Sequence, residues 1–260
     1  MQLNQQYQED KWNTVFGKAN GQFELALDTY MHIGDKGDFY FEFEGTPIRW
    51  CNGTDRFAPL VIVPIQNGDN YELERALLRR FLSQLSYQQN IAIGEITSIG
   101  SGRTRLQPWL TAPYHYGGFL VTDPRFKELV RLTNRQKLTL ALYREALNSV
   151  STYYALLVYF KIIEIASGPN KTDEWIGSHL DPQRIYKLQE WVNKVPKGRT
   201  PGQYLREAHR NAVAHVDEIL NTGDPTLDPD DLTQRAQAEE ANDVVKELAR
   251  LAMSEILPQI

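Results

Sequence analysis

The segment Arg210-Asn211-Ala212-Val213-Ala214-His215 puts a guanidinium, a carboxamide and an imidazole within a few residues of one another. An arginine is a permanently charged planar fork suited to phosphoryl oxygens. A histidine titrates near neutrality and moves protons as acid or base. Asn211 can both donate and accept hydrogen bonds, so it could orient a hydroxyl or the imidazole. In such a set Arg210 is the electrostatic stabiliser and His215 the proton carrier, and no metal is required. The approach is basic: from 194 to 210 the cations Lys194, Lys197, Arg199, Arg206 and Arg210 face a single acid, Glu207. These residues read either as a phosphate-binding surface, with Arg206 extending it, or as an ordinary solvated loop.

A helix must present this motif. Thr200 suits an N-cap, Pro201 the first helical position, and Asn221-Thr222-Gly223 a stop, predicting an α-helix over 200–220. Its core arc is Leu205, Ala208, Ala212, Val216, Ile219 and Leu220, with Arg210 and His215 roughly 140° apart on the far side. Ala214 lies between them, small enough for a second backbone to come close. His209, projected beside Leu205 and Val216, reads as a half-buried packing residue and otherwise as a second titrating group.

Three further helices are expected before the motif: 125–147, a strongly apolar one over 151–166, and 181–195 with Ile185, Leu188 and Trp191 inward. Another, over 228–257, closes the bundle. The apolar helix reads as buried on several faces, between its own bundle and a dimer mate. Lys161 and Glu164 interrupt it and therefore call for partners. They form either a mutual ion pair or a support behind the motif, steadying Arg210 or His215.

The R-x4-H spelling resembles the signature of HEPN-domain ribonucleases, helical domains that dimerise and cut RNA without metal. The run from Tyr143 to Glu164, followed by LREAHRNAVAHV, looks more narrowly like methylamine-utilisation proteins of the MauJ type. The resemblance spans about half of the chain. It implies an all-α HEPN-like bundle of four or five helices and a homodimer through it, with two motif helices meeting across a two-fold axis. RNA carries its own nucleophile, the 2′-hydroxyl, so the enzyme would remove that proton, neutralise the phosphorane and protonate the leaving 5′-oxygen. It also implies a growth-arresting toxin in defence against phage or stress. Some HEPN-like domains only bind RNA or assemble complexes, and that non-catalytic role is the alternative, with a link to methylamine utilisation suggested by the MauJ likeness alone.

At 260 residues the chain is long enough for two domains, expected as an α+β domain over 1–123 and the helical domain over 124–260. With 42% hydrophobic and 23% charged residues it has a globular composition, and a net charge of −5 argues against a surface coated for long nucleic acids. One cysteine, Cys51, excludes an internal disulfide and a multi-cysteine zinc site. No apolar run suits a membrane span and the N-terminus lacks a signal-like core, so a cytoplasmic protein is expected.

The first half predicts strands over 21–28, 38–45, 57–65 and 91–100, the first two paired antiparallel. A helix after Tyr71 should bury Leu73, Ala76, Leu77, Phe81 and Leu85. Asp38, Glu42 and Glu44 read as a solvated strand face rather than nuclease carboxylates, and Gly100-Ser101-Gly102 lacks the rest of a phosphate loop. No cofactor is implied. This half is expected to act as a sensor or specificity domain, the place for a protein or nucleotide trigger, or simply as structure.

Overall fold

Residues 22–28, 31–33, 38–53, 59–65, 71–100, 119–121, 132–181, 185, 188–211 and 231–257 are described by the computed structural model. The chain is α+β and divides into two units, 1–131 and 132–260. The boundary expected near Asp123-Pro124 lies outside the described residues.

In the first unit β1 (Gln22–Asp28), β3 (Asp38–Phe43), β4 (Thr46–Cys51), β5 (Leu60–Pro64) and β6 (Gly94–Gly100) form one antiparallel sheet in the order β3-β4-β5-β1-β6. Two short strands, β2 (Met31–Ile33) and β7 (Phe119–Val121), pair in parallel as a separate two-stranded sheet. The expected pairing of β1 with β3 is not made. β3 turns straight into β4 through Glu44 and Gly45, whose φ values of 49° and 79° suit the tight turn that matches strand twist. Strand β4 escaped the sequence reading because Pro47 is a poor ladder residue. It is tolerated because pairing with β5 starts only at Arg49. That leaves β1 free to lie between β5 and β6, where Phe23, Leu25 and Leu27 are all 0% exposed.

Helix α1 (Glu72–Gln89) covers one face of the sheet. Its buried stripe is Leu77, Leu78, Phe81, Leu82 and Leu85, packed with Phe43, Trp50, Val61 and Val63. Phe81 lies between Phe41 and Phe43, at ring-centroid distances of 5.0 and 5.7 Å. Of the expected stripe Leu77, Phe81 and Leu85 are buried, whereas Leu73 is 67% exposed and Ala76 is exposed, and Leu78 and Leu82 complete the core in their place. Ion pairs Arg79–Glu95 and Arg80–Glu44 fix the helix's orientation over the sheet. Asp38 and Glu44, two of the strand carboxylates, are thus occupied, the first by Arg49 and the second by Arg80.

The second unit contains α2 (Asn134–Asn148), α3 (Thr152–Ser167), α4 (Thr172–His179), α5 (Leu188–Val192), α6 (Pro201–Tyr204), a π-helical segment (Leu205–Asn211) and α7 (Leu232–Ile256). A reciprocal capping box between Thr133 and Gln136 starts α2, and the Ser151 side chain accepts a hydrogen bond from the Tyr154 amide to start α3. Helix α3 is the centre, packed on α7 and α2, with Leu156, Phe160, Ile162 and Ile163 removed from water. Ala238, Ala241, Ala249 and Ala252 give α7 the small buried surface that such an approach needs. Of the expected helix over 181–195 only α5 is helical among the described residues, and Ile185, Leu188 and Trp191 are buried as expected. Helix α4 was not foreseen. Its first-turn acids Asp173 and Glu174 were the available start signal.

Phe81→Ala should lower stability of the first unit by about 3–5 kcal/mol, whereas Leu73→Ala should stay within about 0.5 kcal/mol. Urea unfolding of the two variants checks this, and equal losses would mean the helix face is wrongly assigned.

Candidate functional site

The start of the motif helix follows the sequence: Thr200 caps it in a reciprocal box with Gln203, and Pro201 opens α6. Beyond Tyr204 the expected α-helix gives way to the π-helical segment, a hydrogen-bonding pattern that is uncommon and frequent at functional sites. Longer i→i+5 turns shift the inward face from the i+3 toward the i+4 position. Accordingly Leu205 and His209 are buried, at 0% and 3% exposure, while Ala208, expected on the core arc, is only half-buried.

Two anchors hold the segment. Gly202 lies so close to α4 that a Cβ there would sit 2.5 Å from the Asp173 carbonyl oxygen and 2.8 Å from its Cα. One turn on, Arg206 grips the Asp173 carboxylate, with Nε donating at 3.0 Å to Oδ1 and Nη2 at 2.8 Å to Oδ2. This pairing accompanies a raised guanidinium pKa, caused first by the hydrogen bond to Asp173.

His209 is more buried than its helical projection implied. Its ring meets Tyr204 edge-on, with centroids 5.3 Å apart, and neither ring nitrogen has a hydrogen-bond partner among the described residues. Burial pushes its pKa down to about 4, so the imidazole is neutral and packed rather than a second titrating group.

Arg210 has a half-buried side chain, 30% exposed, and its Nη2 lies 3.4 Å from Glu164 Oε1 on α3. Glu164 is therefore brought to the motif, and the ion pair runs to Arg210 rather than to Lys161. Lys161 is exposed and makes no ion pair among the described residues, so the partner demanded of it was unnecessary: water solvates it.

Asn211 ends the π-helical segment, and its side chain, like all of His215 and Ala214, lies outside the described residues.

The basic approach is largely neutralised. Lys194 pairs with Glu240, Arg199 with Glu207 at 3.5 Å, and Arg206 with Asp173 and, at 3.7 Å, with Glu207. Lys197 is exposed and without an ion pair among the described residues. Asp173 and Glu240 are the residues that sequence reading missed here, since neither is near the cations in the chain. Elsewhere in the unit, Glu255 ties α7 to α4 by accepting from Trp175 Nε1 at 3.1 Å and facing His179 Nε2 at 2.9 Å. No group of three or more potential metal ligands occurs among the described residues. Nor is any described helix long and apolar enough to cross a membrane.

The chain is thus an α+β protein whose second unit holds helices and no strand among the described residues, with an arginine–glutamate pair at a π-helical turn. Residues 139–254, from within α2 to near the end of α7, match the family model described as methylamine utilization protein MauJ. The helical unit is thus MauJ-like over that span. No curated protein and no solved structure matches the chain.

The unpartnered His209 ring makes stability depend on pH. Its folded pKa lies below the unfolded value near 6.5, so the unfolded chain binds the extra proton and stability falls as pH drops from about 6.5 toward 4. The loss should approach roughly 3 kcal/mol, and His209→Leu should flatten this part of the profile in urea unfolding at a series of pH values. Gly202→Ala should destabilise the same unit by displacing α4, seen as a lower unfolding midpoint with the His209 pH dependence retained.

Proposed function

We propose that the chain is a metal-independent endoribonuclease of the HEPN type that cleaves RNA through attack by the 2′-hydroxyl at the R-x4-H motif. The observation that carries the reading is Arg210: a charged fork, 30% exposed, on a π-helical turn with a carboxylate of the neighbouring helix beside it. In this reading the Arg210 guanidinium binds the non-bridging phosphoryl oxygens and offsets the charge that grows on the phosphorane. His215 moves protons, and Asn211 orients the hydroxyl or the imidazole. A homodimer through the helical unit would bring two copies of the motif to one cleft. Lys197 and the edges of Arg199, Arg206 and Lys194 would guide the strand, exchanging carboxylates for phosphates as it docks. In the cell such an enzyme acts as a growth-arresting toxin in phage defence or stress, and the first unit senses the trigger or sets specificity.

A second reading is favoured by the ion pairs that occupy Lys194, Arg199 and Arg206. It is a non-catalytic module for dimerisation or RNA binding, serving methylamine utilisation as the family's description suggests.

Purified protein incubated with single-stranded RNA in EDTA should leave 2′,3′-cyclic phosphate ends and leave a 2′-deoxy substrate intact. His215→Ala should reduce the rate by about 10²-fold or more, and Arg210→Ala by about 10²–10³-fold. Unchanged cleavage by His215→Ala overturns the ribonuclease reading. Expression of the wild type that is no more toxic than Arg210→Ala favours the non-catalytic module.

A further inference from the structure

A π-helix is rare and occurs mostly as a single turn inside an α-helix. The segment Leu205–Asn211 continues directly from α6, whose capping box and Pro201 are those of an ordinary α-helix. Its least favourable residue is His209, 3% exposed, with neither ring nitrogen partnered among the described residues. A buried donor and acceptor left unmade keep their full desolvation cost. In an α-helix the same residues would place Ala208 beside Leu205 on the inward arc and His209 at its margin. We propose that Leu205–Asn211 is a two-register switch: the π register, with His209 in the core and Arg210 beside Glu164, exchanges with an α register in which Ala208 turns inward, His209 reaches water and Arg210 swings away from Glu164. The switch concerns the backbone that carries Arg210 and does not depend on the ribonuclease reading.

The pivot lies at the start of the segment. Gly202 is fixed against the Asp173 backbone, and Arg206 grips the Asp173 carboxylate through Nε and Nη2 at 3.0 and 2.8 Å. Leu205, 0% exposed, points inward between these two anchors. An α turn closes in 3.6 residues and a turn with i→i+5 bonds needs more, so each residue past Leu205 is turned further round in the α register. Arg206 is one residue beyond Leu205 and scarcely moves, so its clamp holds in both registers. By Arg210 the difference has grown to about one residue's turn, roughly 100°. Its Nη2, 3.4 Å from Glu164 Oε1 in the π register, does not stay within that reach after such a rotation.

The opposing contributions are of similar size, which is what a switch requires. The π register buries the His209 ring against Tyr204, with centroids 5.3 Å apart, and keeps Arg210 beside Glu164, at the cost of the unmade imidazole hydrogen bonds. The α register hydrates the imidazole and restores i→i+4 bonding. In exchange it brings only the Ala208 methyl inward, and it gives up the ring contact and an ion pair whose partners are 30% and 41% exposed and therefore hold each other weakly. Core packing at position 209 thus sets where Arg210 stands, and whatever binds one register better shifts the balance toward it.

The test is NMR on the full chain, comparing wild type with His209→Leu and His209→Lys. His209→Leu keeps an apolar group of similar reach in the core and removes the unmade hydrogen bonds, so it holds the π register. His209→Lys cannot leave its charge there and drives the α register. In the wild type, relaxation dispersion on the microsecond to millisecond scale should appear at the amides of 208–211 and be weak at 202–206, where the anchors lie. In His209→Leu the population of the second register should fall about tenfold or more, and the dispersion should vanish. In His209→Lys the Leu205 Hα should show an Overhauser contact to the Ala208 methyl, and the contacts of the Arg210 side chain with Glu164 should be lost. Flat wild-type profiles at 208–211 overturn the inference. So does dispersion that persists in His209→Leu, because His209 is then not its cause, and so does a folded His209→Lys that keeps Arg210 on Glu164. If His209→Lys does not fold, the comparison of wild type with His209→Leu decides alone.

Discussion

Helix α3 cannot stand in water. With Leu156, Phe160, Ile162 and Ile163 all at or near zero exposure, it needs neighbours on several sides, and α2, α7 and the π-helical segment are those neighbours. Burial of side chains of this size is worth roughly 1.5–3 kcal/mol each, which exceeds what any of the surface ion pairs in the unit can supply. The one carboxylate of α3, Glu164, has to leave this core at the helix's edge, and there it meets Arg210. The candidate site is thus a by-product of the core: it lies where the apolar face of α3 runs out.

The π-helical segment adds a second constraint. Its start is fixed by the contact of Gly202 with the Asp173 backbone, too close for any side chain, and by the Arg206–Asp173 clamp. With that end held and Leu205 sunk in the core, the longer turn carries His209 inward and leaves Ala208 at the margin. An unpartnered imidazole in the core costs more than an apolar residue would, and this cost is localised in the turn that presents Arg210. Such local strain of composition commonly accompanies sites whose geometry matters more than their stability.

The electrostatics follow the same pattern. A cationic run that looks continuous along the chain is divided among acids from α4, α7 and the motif segment itself. These exposed pairs contribute little to stability, about 0–1 kcal/mol each, so a polyanion can displace them at modest cost. Arg206 differs because its clamp to Asp173 is bidentate, so it is held more firmly than Lys194 or Arg199.

Much of this was legible in the sequence, because it depends on short-range rules. The α+β class, the helical second half, the Thr200–Pro201 start of α6 and the apolar character of α3 follow from periodicity and cap residues that act within a turn or two. The R-x4-H spelling and the MauJ likeness were legible too, and the match over residues 139–254 agrees with the latter. What the sequence could not contain was anything set by partners distant in the chain. The pairing of β1 with β5 and β6 rather than β3, the turn of α1 that exposes Leu73, the meeting of Arg210 with Glu164 and the change from α to π at Leu205 were decided by tertiary packing. In each, several local arrangements are nearly equal in energy, and the one that removes most apolar surface from water, or satisfies a charge from another element, prevails.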